Sequence, residues 1–194
     1  MDRRADIKAR EVFQTAQHLF AEGKHLESID LFSRFMAIRG EVEIALLSRG
    51  VAYLKTDQID KAVKDFGKVI EINNQNVRAY FYRGIASMSA GDFQNAIEDF
   101  DRTIELKPDH GTAFIARGSA YAQSGNDYEA ARNIRTAITL LKGNMQGVTD
   151  TYGLFRTQFD RAMTVMSDKA KSPGTDLTEE EIQTVKKWLN ERDQ

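Results

Sequence analysis

An all-α fold built from repeated helix pairs is what this sequence predicts, and three observations carry the prediction. A short segment centred on glycine recurs as Ser48-Arg-Gly50-Val-Ala-Tyr53, Tyr82-Arg-Gly84-Ile-Ala-Ser87 and Ala116-Arg-Gly118-Ser-Ala-Tyr121. Its glycines stand 34 residues apart each time, a period characteristic of stacked helical units. Pro108 and Pro173 are the only two prolines in 194 residues, so long stretches are free to be helical.

Other positions keep the same register. An alanine stands twelve residues after each glycine (Ala62, Ala96, Ala130), and four residues further come Phe66, Phe100 and Ile134. One step earlier, Ala16, Ser28 and Phe32 occupy the matching offsets, so a fourth, divergent copy precedes the other three. Each copy reads as two helices. In the third, Tyr80, Gly84, Ser87 and Met88 follow helical spacing until Ala90-Gly91-Asp92 breaks it. Phe93, Ala96, Ile97, Phe100 and Ile104 then form a second stripe, which Lys107-Pro108 ends. The Gly-Asp pair at 91–92 and the Gly-Asn pair at 125–126 read as turn chemistry. Antiparallel helices approach closely only where side chains are small, so Gly84 and Ala96 mark the expected contact, with Phe100 filling the space beside it.

This pattern resembles the tetratricopeptide repeat family. The third copy carries Tyr80, Gly84, Gly91-Asp92, Ala96, Phe100 and Pro108, and the fourth carries Phe114, Gly118, Tyr121, Gly125, Ala130 and Ala137. The resemblance covers about residues 9–144, as copies at 9–42, 43–76, 77–110 and 111–144. Ser28, Phe35 and Thr103 depart from alanines usual in the family. It implies a right-handed superhelical solenoid of four helix-turn-helix repeats, closed by C-terminal capping helices. The first helix of each pair lines a concave groove and the second forms the convex back.

Beyond Gly143 the pattern changes. Val148, Tyr152, Phe155, Phe159, Ala162, Met163 and Met166 make one apolar stripe, so a long capping helix is expected over 145–171. A linker over 172–177 contains Ser172-Pro173-Gly174, and an amphipathic helix is expected over 178–194. Thr178 with Glu181 has the spacing of a capping box, and Leu177 with Ile182 that of a hydrophobic staple. Ile182, Val185, Trp188 and Leu189 share one side of that helix. Packing beside the capping helix is the favoured placement of Trp188; the chain's own groove and another chain are the alternatives.

Composition excludes several classes of function. A formal net charge of -2 supplies no basic field for nucleic acid or an anionic membrane. The absence of cysteine removes disulfides, thiolate catalysis and cysteine-ligated zinc. His18, His25 and His110 lack the spacing of helical metal sites, and no phosphate-binding loop, calcium loop or nucleophile elbow occurs. No enzyme, cofactor or metal is therefore expected. The charged N-terminus lacks the apolar core of a signal peptide, and no run has membrane-spanning length. A soluble, cytoplasmic protein is the expectation.

Arg49, Arg83 and Arg117 form a regular series. An electropositive ladder is one reading. The structural one is an ion pair within each repeat, because Asp65 and Asp99 stand at one offset from Arg49 and Arg83, with Asn133 at that offset from Arg117. Beside the packing stripe, each first helix carries a second row: Phe13, Gln17 and Phe20; Leu47, Val51 and Leu54; Phe81, Ile85 and Met88; Ile115, Ser119 and Ala122. By the resemblance this row faces the groove, with Arg78 and Tyr82 nearby. The lysine and asparagine that clamp acidic chaperone tails in some family members are absent from it. The expected function is a non-enzymatic adaptor or co-chaperone-like scaffold, whose groove binds a largely apolar peptide or helix of another protein. In the alternative, the groove or the Trp188 helix makes homo-oligomers. The competing structural reading packs the same row against neighbouring helices.

Overall fold

The computed structural model describes residues 3–141 and 177–190. In chain order its helices are α1 (Arg3–Ala21), α2 (His25–Arg39), α3 (Glu43–Lys55), α4 (Ile59–Ile72), α5 (Val77–Ser89), α6 (Phe93–Leu106), α7 (Gly111–Gln123), α8 (Asp127–Leu141) and α9 (Glu179–Asn190). No strand occurs among the described residues. The expected capping helix over 145–171, and the linker as far as residue 176, lie outside them. Two compact units divide the chain, Met1–Ala86 and Ser87–Gln194.

Three-residue turns join the helices of each pair, and one backbone position is shared by all four. Gly23, Asp57, Gly91 and Gly125 have φ of 78°, 58°, 83° and 88°. A left-handed residue reverses the chain within three residues; glycine adopts it freely, whereas the Cβ of Asp57 is strained there. The next residue in each turn donates its N–H back into the helix just ended: Lys24 to Leu19 and Gln58 to Tyr53, both at 2.9 Å, Asp92 to Ser87 at 2.9 Å, and Asn126 to Tyr121 at 2.8 Å. Asp92 and Asn126 then cap the helix that follows, accepting from the N–H groups of Asn95 and Glu129 at 3.2 Å.

In the unit Met1–Ala86, α1 packs on α2, α3 on α4, and α2 on α3. A Cβ at Gly50 would lie 2.5 Å from the Phe66 ring, so the missing side chain is the seat of that ring. Phe66 and Ala62 are fully buried as a result. Phe32 holds the equivalent place in α2, with the Phe13 ring edge-on at 5.8 Å. Ser28 is buried where an alanine is usual, and its hydroxyl donates to the carbonyl of His25 at 2.8 Å. Phe35 is half-buried on the same core, 4.8 Å from Phe13.

Arg49 ties two helices of this unit together. Its guanidinium donates to both carboxylate oxygens of Asp65, at 2.7 and 2.8 Å, and to the hydroxyl of Ser33 at 2.9 Å. The partners lie sixteen residues ahead and sixteen behind, on α4 and α2. The Asp65 side chain is only 3% exposed, so this bidentate pair is what makes a buried carboxylate tolerable.

The unit Ser87–Gln194 repeats the plan. A Cβ at Gly118 would meet the Ala130 carbonyl at 3.1 Å, with Ile134 at 3.2 Å, while Phe100 and Ile134 are fully buried. Thr103, also in place of an alanine, donates its hydroxyl to the Asp99 carbonyl at 2.8 Å. Arg117 reaches Asn133 at 2.8 Å and forms an ion pair with Asp101, again sixteen residues on either side. Asn133 thus replaces an aspartate without leaving the arginine unpaired.

His110 caps α7. Its Nδ1 accepts the Ala113 N–H at 3.2 Å and lies 3.0 Å from the Thr112 hydroxyl. Further on, Thr178 and Glu181 make the reciprocal capping box at the start of α9. The Glu181 carboxylate accepts the Thr178 N–H at 2.7 Å, and the Thr178 hydroxyl accepts the Glu181 N–H at 3.2 Å. That carboxylate also takes Arg135 at 3.1 Å, which fastens the first turn of α9 to α8.

A Cβ at Gly67, inside α4, would touch nothing within 4 Å. Gly67→Ala is therefore expected to stabilise the chain by about 0.5–1 kcal/mol in urea unfolding, whereas Gly50→Ala, which drives a methyl into Phe66, loses about 1–3 kcal/mol. Arg49→Ala strands the Asp65 carboxylate and should cost about 3–5 kcal/mol, while Arg49→Met with Asp65→Leu recovers most of it; equal losses in single and double variants would refute the pairing. Burial, assisted by Lys107, holds the His110 imidazole below its ordinary 6.5. The folded state then binds this proton less readily than the unfolded chain, so its contribution is complete above about pH 6.5 and fades as pH falls towards the lowered value. His25 is lowered by burial too and adds the same sign. His110→Asn keeps a cap and should flatten the acid side of the stability–pH curve, measured against wild type with His25 intact.

Candidate functional site

The row beside the packing stripe divides into buried and half-buried members. In the unit Met1–Ala86, Leu47 (7% exposed), Val51 (9%), Phe81 (3%) and Ile85 (0%) are core side chains. A partner reaches them only by displacing what the chain already packs there. Phe13, Phe20, Leu54 and Tyr82 are half-buried and lie against one hydrophobic cluster that includes Leu46, Leu47, Val51 and Phe66. Gln17 and Arg78 are exposed. Tyr82 stacks on Phe66 at 5.8 Å and meets Phe81 at 5.6 Å, while the Arg78 guanidinium stands 5.9 Å over its ring. Aromatic faces rooted in a rigid core, with a charge beside them, form a surface that can hold a peptide without first being ordered.

In the unit Ser87–Gln194, Met88 and Ile115 are 2% and 4% exposed, and Ser119 and Ala122 are buried with them. Trp188 falls within α9, and its side chain lies outside the described part of the structure. The helix that carries it touches α8, a second helix of a pair, through Arg135 and Glu181. Sequence alone does not single out the crevice between α7 and α8, where Tyr121 and Glu129 sit. The signal available there is the change from Lys61 to Glu129 at one offset of the repeat.

Groups able to do chemistry do not converge. His18 is solvent-facing beside Glu22 at 3.2 Å, and His25 sits against Phe20 with a buried Nδ1. Among the described residues no group of three or more His, Cys, Asp or Glu is placed to hold a metal ion. None of the described helices is long and apolar enough to cross a membrane. Arg49 and Arg117 are structural, since their head groups are held by α4 and α2 and by α8 and α6.

Comparison with known proteins agrees with this geometry. The tetratricopeptide repeat family matches residues 45–76 and again residues 77–110. Among solved structures, MamA of AMB-1 is 26% identical, covering 68% of this chain and 78% of that one, with a TM-score of 0.64. A MamA RS-1 double mutant is 15% identical but covers 96% of this chain and 97% of that one, at a TM-score of 0.69. The tetratricopeptide domain of Arabidopsis OM64 is 21% identical, covering 58% of this chain and 93% of that one, at 0.56. No curated protein sequence matches the chain. The fold is an all-α tetratricopeptide solenoid, an architecture that generally serves as a protein-interaction scaffold rather than an enzyme. Residues 45–76 and 77–110 are thus tetratricopeptide repeats, and the paired helices on either side of them follow the same plan.

Proposed function

We propose that the chain is a non-enzymatic adaptor that holds a largely apolar peptide or helix of another protein on the first-helix face of the unit Met1–Ala86. The observation that carries this reading is the half-buried row Phe13, Phe20, Leu54 and Tyr82, set in one core cluster and flanked by exposed Gln17 and Arg78. Such a row offers apolar contact at little ordering cost, because its side chains are already fixed from below. Leu47, Val51, Phe81 and Ile85 hold it up from the core and are not contact residues in this reading. Arg78 stands over the Tyr82 ring and would meet an acidic residue of the bound segment. A cytoplasmic setting belongs to the same proposal.

The test is partner capture from the native source by the immobilised full chain, wild type against Leu54→Asn with Arg78→Glu. Both positions have exposed surface, so the variant should keep its circular dichroism and melting temperature. Capture should fall on the order of tenfold or more if this row carries the energy. Unchanged capture by a folded variant would sink the reading. Light scattering of both proteins identifies the held segment as a second copy of this chain if an oligomer dissociates in the variant.

A further inference from the structure

We propose that the crevice between α7 and α8 receives a lysine or arginine side chain presented by a partner protein. This deepens the protein-binding reading and rests on it, but it concerns a different surface. A pocket of about 440 Å³ opens there between Phe114, Arg117 and Tyr121 of α7 and Glu129, Arg132 and Asn133 of α8.

The chain itself shows what such a crevice takes. Two repeats earlier, Tyr53 and Arg49 occupy the offsets of Tyr121 and Arg117, and Lys61 occupies that of Glu129. In that copy the Lys61 ammonium stands 5.5 Å from the centre of the Tyr53 ring, with Arg49 at 5.6 Å. One copy therefore lays its own lysine on its tyrosine. In the other copy an acid, Glu129, stands at that offset, and Tyr121 and Glu129 line one pocket.

The remaining charges leave that carboxylate available. Arg117 is held by Asn133 at 2.8 Å and by Asp101, and it stands 5.3 Å over Phe114. Its charge is taken up within the fold. Arg132 meets Glu129 only at 3.4 Å, and its side chain is 69% exposed. An ion pair that open to water is weak and yields to a better-placed cation. Burial, with the charge of Asp101, raises the Tyr121 phenol above its ordinary value, so the ring stays neutral. A neutral tyrosine face attracts an ammonium or guanidinium.

The experiment uses the full chain and three capped tripeptides, Ac-Ala-Lys-Ala-NH2 and the same peptide with norleucine or aspartate at its centre. Nuclear magnetic resonance follows the Tyr121 ring and the Glu129 carboxylate. The lysine peptide should shift both saturably, with the norleucine peptide on the order of tenfold weaker. Glu129→Lys restores the internal cation of the earlier copy and should abolish the response. Equal shifts with lysine and norleucine, tighter binding of the aspartate peptide, or unchanged lysine binding in Glu129→Lys would each overturn the proposal. The Leu54→Asn, Arg78→Glu variant keeps this response if the two surfaces are separate, so failure here and failure of the first-helix face are told apart.

Discussion

Everything in this fold depends on two helices coming close enough for a bulky side chain of one to sit where the other has none. Gly50 makes room for Phe66, and Gly118 makes room for Ala130 and Ile134. The gap admits a whole ring, so a methyl at Gly50 would already be in collision. Once the pair is locked at that point, its turn has three residues in which to reverse, and a left-handed backbone becomes obligatory. Gly23, Gly91 and Gly125 adopt it at no steric cost, and Asp57 does so under strain. Turn and contact are thus one constraint seen at two places, which is why both keep the 34-residue period.

Polar groups follow the same geometry. A second helix that buries its face also buries whatever polar residue falls on it, and Asp65 is the severe case. Arg49 meets it bidentately and donates a third N–H to Ser33 of the preceding pair. Arg117 spans the same distances with Asp101 and Asn133. A guanidinium suits this task because its planar fork donates in several directions at once, where a lysine would satisfy one acceptor at a time. At the offset sixteen residues before Arg83 stands Gly67, which has no side chain to offer. The Arg49 and Arg117 staples share one geometry and fill it with different partners.

Periodicity made the helices, their turns and the buried series Phe32, Phe66, Phe100 and Ile134 legible, since each recurs at a fixed interval. The capping box of Thr178 and Glu181 was legible for a different reason, because its geometry lies within four residues. The contact row was less legible. Leu47, Val51, Phe81 and Ile85 have the spacing of a surface stripe, yet they are buried, and spacing on one helix says nothing of what a neighbouring helix covers. Charges placed at Phe81 or Met88 would consequently report on folding rather than on binding. The departures at Ser28 and Thr103 leave no trace in the pattern, because each hydroxyl is satisfied by a carbonyl of its own helix.

Repetition has a further use, since each copy serves as a control for the others. A lone Glu129 on a helix surface carries little meaning, as most such acids are solvated. Beside Lys61 and Tyr53 it becomes a reversal of charge at a position whose internal occupant is known. The offset holds Glu27, Lys61, Asn95 and Glu129 in the four copies, so packing does not fix its charge, and Lys61 and Glu129 are the two that fall beside a tyrosine, Tyr53 and Tyr121. The same comparison explains why Arg117 keeps its place while its neighbour changes: the arginine stabilises the stack, and the residue at the rim of the crevice does not. In a solenoid, then, positions that hold the period build the scaffold, and positions that break it while leaving the scaffold intact are where binding specificity can be written.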